Sequence, residues 1–121
     1  MNILQKFFTT EGRLNRGRFF KYYIAVTIMG ATATFVTSCM ATLLTGDPNG
    51  TLVKMITVTW AVLATAGACM LMVRRLHDLN KNGAFFLVSF IPVVGLIFMV
   101  YLFFKEGTAG YNQYGADPLQ N

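Results

Sequence analysis

His77 and Asp78 are the residues with the clearest capacity for chemistry. They stand side by side in Arg74-Arg75-Leu76-His77-Asp78-Leu79-Asn80-Lys81-Asn82-Gly83, which holds two arginines, a lysine, an aspartate and the one histidine of the chain. An imidazole beside a carboxylate could serve as a general acid or base. The rest of a catalytic constellation is missing. There is no second histidine for a metal-dependent His-Asp site and no CxxC pair. Ser89 lies inside an apolar run with no identifiable base. No catalytic residue, metal or cofactor is therefore expected. His77 reads as a hydrogen-bonded interface residue, and Asp78 as a counter-charge for Arg74 and Arg75.

The elements that must position this stretch are apolar. Of 121 residues, 55% are hydrophobic and 12% are charged, about half the charge of an ordinary soluble domain. Three windows, residues 22–44, 53–73 and 84–104, each approach the roughly 20 apolar residues that a helix needs to cross about 30 Å of hydrocarbon. Only Lys54 carries charge, at the edge of the second, where it can snorkel. The expected fold is all-α: a single polytopic membrane domain with three transmembrane helices, a short N-terminal interfacial helix and an irregular C-terminal tail.

The net charge of +5 would suit nucleic acid, but its placement points elsewhere. Lys6, Arg13, Arg16, Arg18 and Lys21 precede the first window, and Arg74, Arg75 and Lys81 follow the second. That asymmetry predicts residues 1–21 and the 74–83 loop in the cytoplasm and the 45–52 loop outside. Nucleic acid is not expected as a partner.

Along the chain, Ile3, Leu4, Phe7 and Phe8 have the spacing of a short helix lying in the interface. Residues 11–18 place two glycines among three arginines, which predicts a turn. Phe19, Phe20, Tyr22 and Tyr23 predict an aromatic belt. In the first span Gly30, Thr34, Ser38 and Thr42 recur every four residues, a face that another helix could approach closely. Val36-Thr37-Ser38-Cys39 resembles a lipoprotein cleavage box, but it lies far into the chain and an uncleaved anchor explains it equally well. Gly46-Asp47-Pro48-Asn49-Gly50 predicts a tight turn between antiparallel spans. Cys39 and Cys69 then fall at opposite ends of their spans, too far apart for a disulfide. Pro92 and Gly95 predict a kink in the third span, which carries the tail outside; a re-entrant hairpin turning at Pro92 is the alternative. Three glycines and Pro118 make the tail irregular.

Three blocks complete the pattern: Gly12-Arg13-x-x-Arg16-x-x-Phe19, Arg74-Arg75-Leu76-His77-Asp78, and Gly107-Thr108-x-Gly110-x-Asn112-x-Tyr114-Gly115-x-Asp117-Pro118. In order and spacing they resemble the bacterial inner-membrane family known as domain of unknown function 805, the YhaH/YhaI-like proteins, over nearly the whole chain. Ala84 and Phe85 depart from the tryptophan pair usual there, Phe20 from another tryptophan, Gln113 from an arginine and Ala116 from a proline. The resemblance implies a small multi-pass protein of the bacterial inner (plasma) membrane, and lends no activity.

The functional expectation is a small interaction or adaptor protein. Its basic cytoplasmic surface, with Arg13, Arg16, Arg74, Arg75, His77 and Asp78 as the candidate site, would meet anionic lipid headgroups or an acidic partner. The tail motif is the second candidate feature. The Gly30/Thr34/Ser38/Thr42 stripe offers packing to a second copy or to another membrane protein. An oligomeric channel or small-solute transport component is one alternative, though no ionisable group lies within the spans. A membrane enzyme using His77 and Asp78 is the other.

Overall fold

A computed structural model describes residues 8–118. The expected interfacial helix lies outside the described residues except for Phe8, as do residues 119–121. The described chain forms α1 (Arg16–Thr45), α2 (Thr51–Asp78), a 3-10 helix (Gly83–Phe90) and α3 (Val94–Phe104). Among the described residues no strand forms beyond one antiparallel bridge, Asn112 to Gly115.

α1 begins six residues earlier than the apolar window. The Asn15 side chain caps it, accepting from the Arg18 N–H at 2.8 Å, as an asparagine does at a helix start. The turn expected over residues 11–18 therefore ends at Asn15, and Arg16 to Lys21 are helical. α1 closes on Gly46 at φ +73°, a left-handed conformation that costs glycine little. The 46–50 turn then returns the chain antiparallel as α2. That helix runs five residues past the apolar window, so Arg74 to Asp78 are its last turn, not a loop.

Both helices are long and apolar enough to cross a membrane, and little of either apolar window is buried. Ile28, Phe35, Leu43, Met55, Val58 and Val62 stand exposed, as expected of helices whose solvent is lipid. The inner contact is close: a Cβ on Gly30 would lie 3.1 Å from that of Ala64. Trp60 Nε1 donates to Thr37 Oγ1 at 3.0 Å.

Residues 84–104 do not form the expected kinked span. The 3-10 helix ends at Phe90, and Val93 takes φ +65°, ψ −58°. The Val94 N–H donates to the Pro92 carbonyl at 2.7 Å, closing a γ-turn of the positive-φ kind. α3 then runs back toward the end of α2. Its 11 residues cover about 16 Å, roughly half a crossing. Gly95 permits the tight return, since a Cβ there would sit 2.5 Å from the Ser89 carbonyl oxygen. Proline supplies the reason for the break, having no N–H to give and no room for a helical preceding turn.

The buried core gathers at the end where α2 finishes. Leu14, Phe19, Val26, Leu71, Met72, Leu76, Leu79 and Leu102 form it. The expected aromatic belt turns partly inward: Phe19 is buried, and Phe103 of α3 lies 5.1 Å from its ring and 5.4 Å from that of Tyr23. Toward the Thr45 end α1 and α2 flank an apolar groove of about 660 Å³ lined in part by Gly30, Thr34, Ser38, Thr42 and Trp60.

Candidate functional site

The stretch before α1, the end of α2 and the tail converge on Asp78. Its backbone is the C-terminal residue of α2, its side chain is buried, and both carboxylate oxygens are engaged. Arg13 Nε and Nη2 approach Oδ1 at 3.0 and 2.9 Å, and Arg75 Nη1 approaches Oδ2 at 2.5 Å. Arg75 is 0% exposed, Asp78 3% and Arg13 7%. A buried charge without a partner is expensive, so the two guanidiniums and the carboxylate must form as a unit.

One carboxylate balances only one of two cations, and main-chain carbonyls solvate the remainder. Arg13 donates to the carbonyl oxygens of Gly110 at 2.5 Å and Gly115 at 3.2 Å, and also to that of Thr108. Arg75 donates to the carbonyls of Leu102 at 2.8 Å and Leu14 at 3.4 Å, and to that of Lys105. Leu102 belongs to the last turn of α3, whose carbonyls have no intrahelical donor and carry the negative end of the helix dipole. Arg16 adds a bond to the Phe104 carbonyl at 3.2 Å. Two arginines thus cap α3, and a third gathers the tail. The planar five-donor fork of arginine suits this work in a way that a lysine ammonium does not.

The tail is fastened at further points. Thr108 N–H donates to the Asp78 carbonyl at 2.8 Å, and Asn112 Nδ2 to the His77 carbonyl at 2.9 Å. The Tyr114 ring stacks on His77 with centroids 3.9 Å apart and planes 9° from parallel. His77 Nδ1 lies 3.1 Å from the Gly12 carbonyl oxygen. Asp117 Oδ2 accepts from the Gly110 N–H at 3.0 Å, and the Asn112–Gly115 bridge closes a loop around Tyr114. Gly107 passes so close to the Asp78 carboxylate that a Cβ there would run into it. Pro118 is buried at the end of the described tail.

The tail lies at the same end of the bundle as Arg13 and His77, whereas the expected full third span would have carried it away from them. The candidate residues meet, but mostly as interior. Arg13, Arg75 and Asp78 form the clamp, and Arg74 is buried beside it, its carbonyl accepting from the Leu14 N–H at 3.2 Å. Arg16 stays exposed, 4.0 Å from Glu106. Of the small-residue stripe, Gly30 meets α2, while the hydroxyls of Thr34 and Thr42 turn back to the carbonyls of Gly30 and Ser38 at 2.7 and 2.9 Å. Asn15, Leu102 and Lys105 do not stand out in the sequence as parts of the site. Asn15 had the recognisable signature of a cap before a helix. Leu102 and Lys105 act through backbone oxygens, which residue identity does not disclose.

A carboxylate saturated by two arginines is not poised as a base, and among the described residues no group of three His, Cys, Asp or Glu could hold a metal ion. What this geometry does is bind one part of the chain to another.

Comparison with known proteins matches residues 7–116 to a family described as "Protein of unknown function (DUF805)". The chain is similar to "Inner membrane protein YhaI" of Escherichia coli (strain K12), 29% identical over 118 residues that cover 98% of this chain and 92% of that one. It is also similar to "Inner membrane protein YhaH" of the same organism, 24% identical over 118 residues covering 98% and 93%. No solved structure matches.

Proposed function

Because the chain belongs to the DUF805 family, whose members YhaI and YhaH are named inner membrane proteins, we propose that it is an integral inner-membrane protein whose cytoplasmic cap is an interaction surface for anionic lipid headgroups. In this reading α1 and α2 cross the membrane, residues 83–104 enter and return, and the N-terminus, the α2 end and the tail share the cytoplasmic side. The positive-inside asymmetry supports that orientation.

The observation that carries the interaction role is a division of labour among the cations. Arg13, Arg74 and Arg75 are buried, whereas Arg16, Arg18, Lys21, Lys81 and Lys105 are exposed at the same end. Among the described residues there, only Glu11 and Glu106 are exposed carboxylates. The surface left after folding is a basic rim around a hydrogen-bonded interior, and in this reading the rim meets the headgroup phosphates. Each rim cation contributes on the order of 1 kcal/mol against an anionic leaflet. This reading keeps an interaction role but moves the contact from the buried arginines to the rim. His77, held by Gly12 and Tyr114, acts in docking the tail and not in catalysis.

The experiment is lipid retention. The protein, purified from mixed phosphatidylglycerol and phosphatidylethanolamine membranes, is examined by native mass spectrometry beside Arg18→Gln/Lys21→Gln/Lys81→Gln/Lys105→Gln. The parent is expected to keep phosphatidylglycerol preferentially and the variant to lose the preference. Equal retention by both would remove the rim as a lipid contact.

A further inference from the structure

Residues 84–104 present two solutions to one chain. As a single helix they would extend about 31 Å, enough to cross the hydrocarbon; in this fold they break at Pro92 and return. The hairpin carries identifiable costs. Val93, β-branched, sits at φ +65°, a conformation that such residues rarely adopt. Residues 91–93 are non-helical at the tip of the apolar hairpin, where lipid offers no hydrogen bonds to backbone groups, so the tip depends on its own short bonds, Ile91 N–H to the Val88 carbonyl, Val94 N–H to that of Pro92 and Gly95 N–H to that of Ile91. Phe90, Ile91, Val93 and Val94 are all exposed there, so the tip makes little packing of its own. Pro92 and Gly95 fix where the segment turns, but these local features do not by themselves hold the turned form against a full crossing.

The contacts at its far end do. Arg75 holds the carbonyls of Leu102 and Lys105, Arg13 holds those of Thr108, Gly110 and Gly115, and the Asp78 carbonyl holds the Thr108 N–H. Each of these bonds exists only if Phe104 and the tail lie beside the end of α2. None would survive a full crossing, which would carry the tail a membrane thickness away. We infer that the Arg13–Asp78–Arg75 clamp is a topology lock: by gripping the α3 terminus and the tail, it keeps a segment long enough to span folded back as a half-depth hairpin. This rests on the proposed cytoplasmic position of the cap, and it adds that the position is conditional on three side chains.

The lock predicts that weakening the grip converts the segment to a full span and exports the tail. Two variants weaken it differently. Arg13→Gln removes the fork that gathers three tail carbonyls. Gly107→Val removes no charge, but drives a side chain against a carboxylate that two arginines hold in place, so the tail must lift away.

The test uses the full chain with Cys39→Ala and Cys69→Ala and one reporter, Gln113→Cys, at an exposed tail position. An impermeant maleimide is added to cells with a permeabilised outer membrane and an intact inner membrane. Asn49→Cys, in the turn between α1 and α2, reports in a parallel series that these helices remain inserted. With the parent clamp, the tail reporter should react only after the inner membrane is broken. In either lock variant, labelling of intact cells should rise by about tenfold or more as the two-state population shifts, with Asn49→Cys reactive throughout. Pro92→Ala added to a lock variant should raise it further. Tail labelling from outside in the parent would overturn the proposed topology. A protected tail in the parent and in both variants would leave that topology standing and overturn the lock. If Arg13→Gln is degraded, Gly107→Val decides.

Discussion

Arg13 and Asp78 are 65 positions apart in the chain and 2.9 Å apart in the fold, and both are buried. The pair joins the stretch before α1 to the end of α2, and through the other donors of Arg13 it recruits the tail. Arg75, three residues before Asp78 on the same helix, completes a cluster in which every chain segment at this end of the molecule meets. A basic, largely apolar chain thus spends two of its arginines on its own architecture.

Asp78→Asn keeps the side-chain shape while leaving two buried guanidiniums to share no carboxylate. Breaking a buried pair by removing one partner costs about 3–5 kcal/mol. Asp47→Asn, in the exposed turn between α1 and α2, should fall within about 0.5 kcal/mol of the parent. Unfolding in mixed micelles by titration with a denaturing detergent compares the two. Equal shifts would mean that Asp78 is no keystone.

Arg75→Lys preserves the charge but not the fork that reaches Leu14, Leu102, Lys105 and Asp78 together. Loss of two or more charge-assisted bonds is expected to cost about 3 kcal/mol or more. Arg16→Lys, at an exposed site with a 4.0 Å contact to Glu106, should cost less than about 1 kcal/mol. The same detergent titration measures both, and a tolerated lysine at position 75 would show that charge alone suffices there.

These sites also mark where the fold was legible in the sequence. The two long helices and the turn between them followed from apolar length and the Gly46-Asp47-Pro48-Asn49-Gly50 cluster, because burial in lipid and turn formation are local properties. The hairpin was not legible by length, since residues 84–104 suffice for a crossing; only Pro92 hinted at the break. Arg13, Arg75 and Asp78 were expected together from their charges, and the tail motif stood out through the family resemblance. That they would be interior was not, because the partners that make burial tolerable are backbone carbonyls contributed from elsewhere in the chain. Distant hydrogen bonding to main-chain oxygen leaves no residue-type signature.

Tyr114→Ala should loosen the tail without unfolding the helices. Stacking on His77 is worth about 0.5–1.5 kcal/mol beyond area buried, so the amides of Thr108, Gly110, Asn112 and Gly115 should exchange hydrogen up to about tenfold faster. Amides in the middle of α2 should be unchanged. Hydrogen exchange read by mass spectrometry checks this, and uniform acceleration would mean that the tail is not a separate unit.

Gly30→Leu places a large side chain where a Cβ already meets Ala64 at 3.1 Å. Overpacking of this kind costs about 1–3 kcal/mol and should part α1 from α2. Trp60, the single tryptophan, reports it through the bond to Thr37. Its emission is expected to change in Gly30→Leu and to stay constant in Met29→Leu, on the exposed side of the helix. No change in either would place the α1 stripe away from α2.

The tail returns to the end of α2, and one distance tests that return. Spin labels at Lys81→Cys and Gln113→Cys, both exposed, with Cys39 and Cys69 replaced by alanine, are measured by pulsed dipolar spectroscopy in lipid nanodiscs. The return of residues 83–104 predicts a narrow distribution centred below about 25 Å, whereas a full crossing would separate the labels by at least the ~30 Å hydrocarbon thickness. A dominant population beyond that thickness would contradict the hairpin, the clamp and the shared face together.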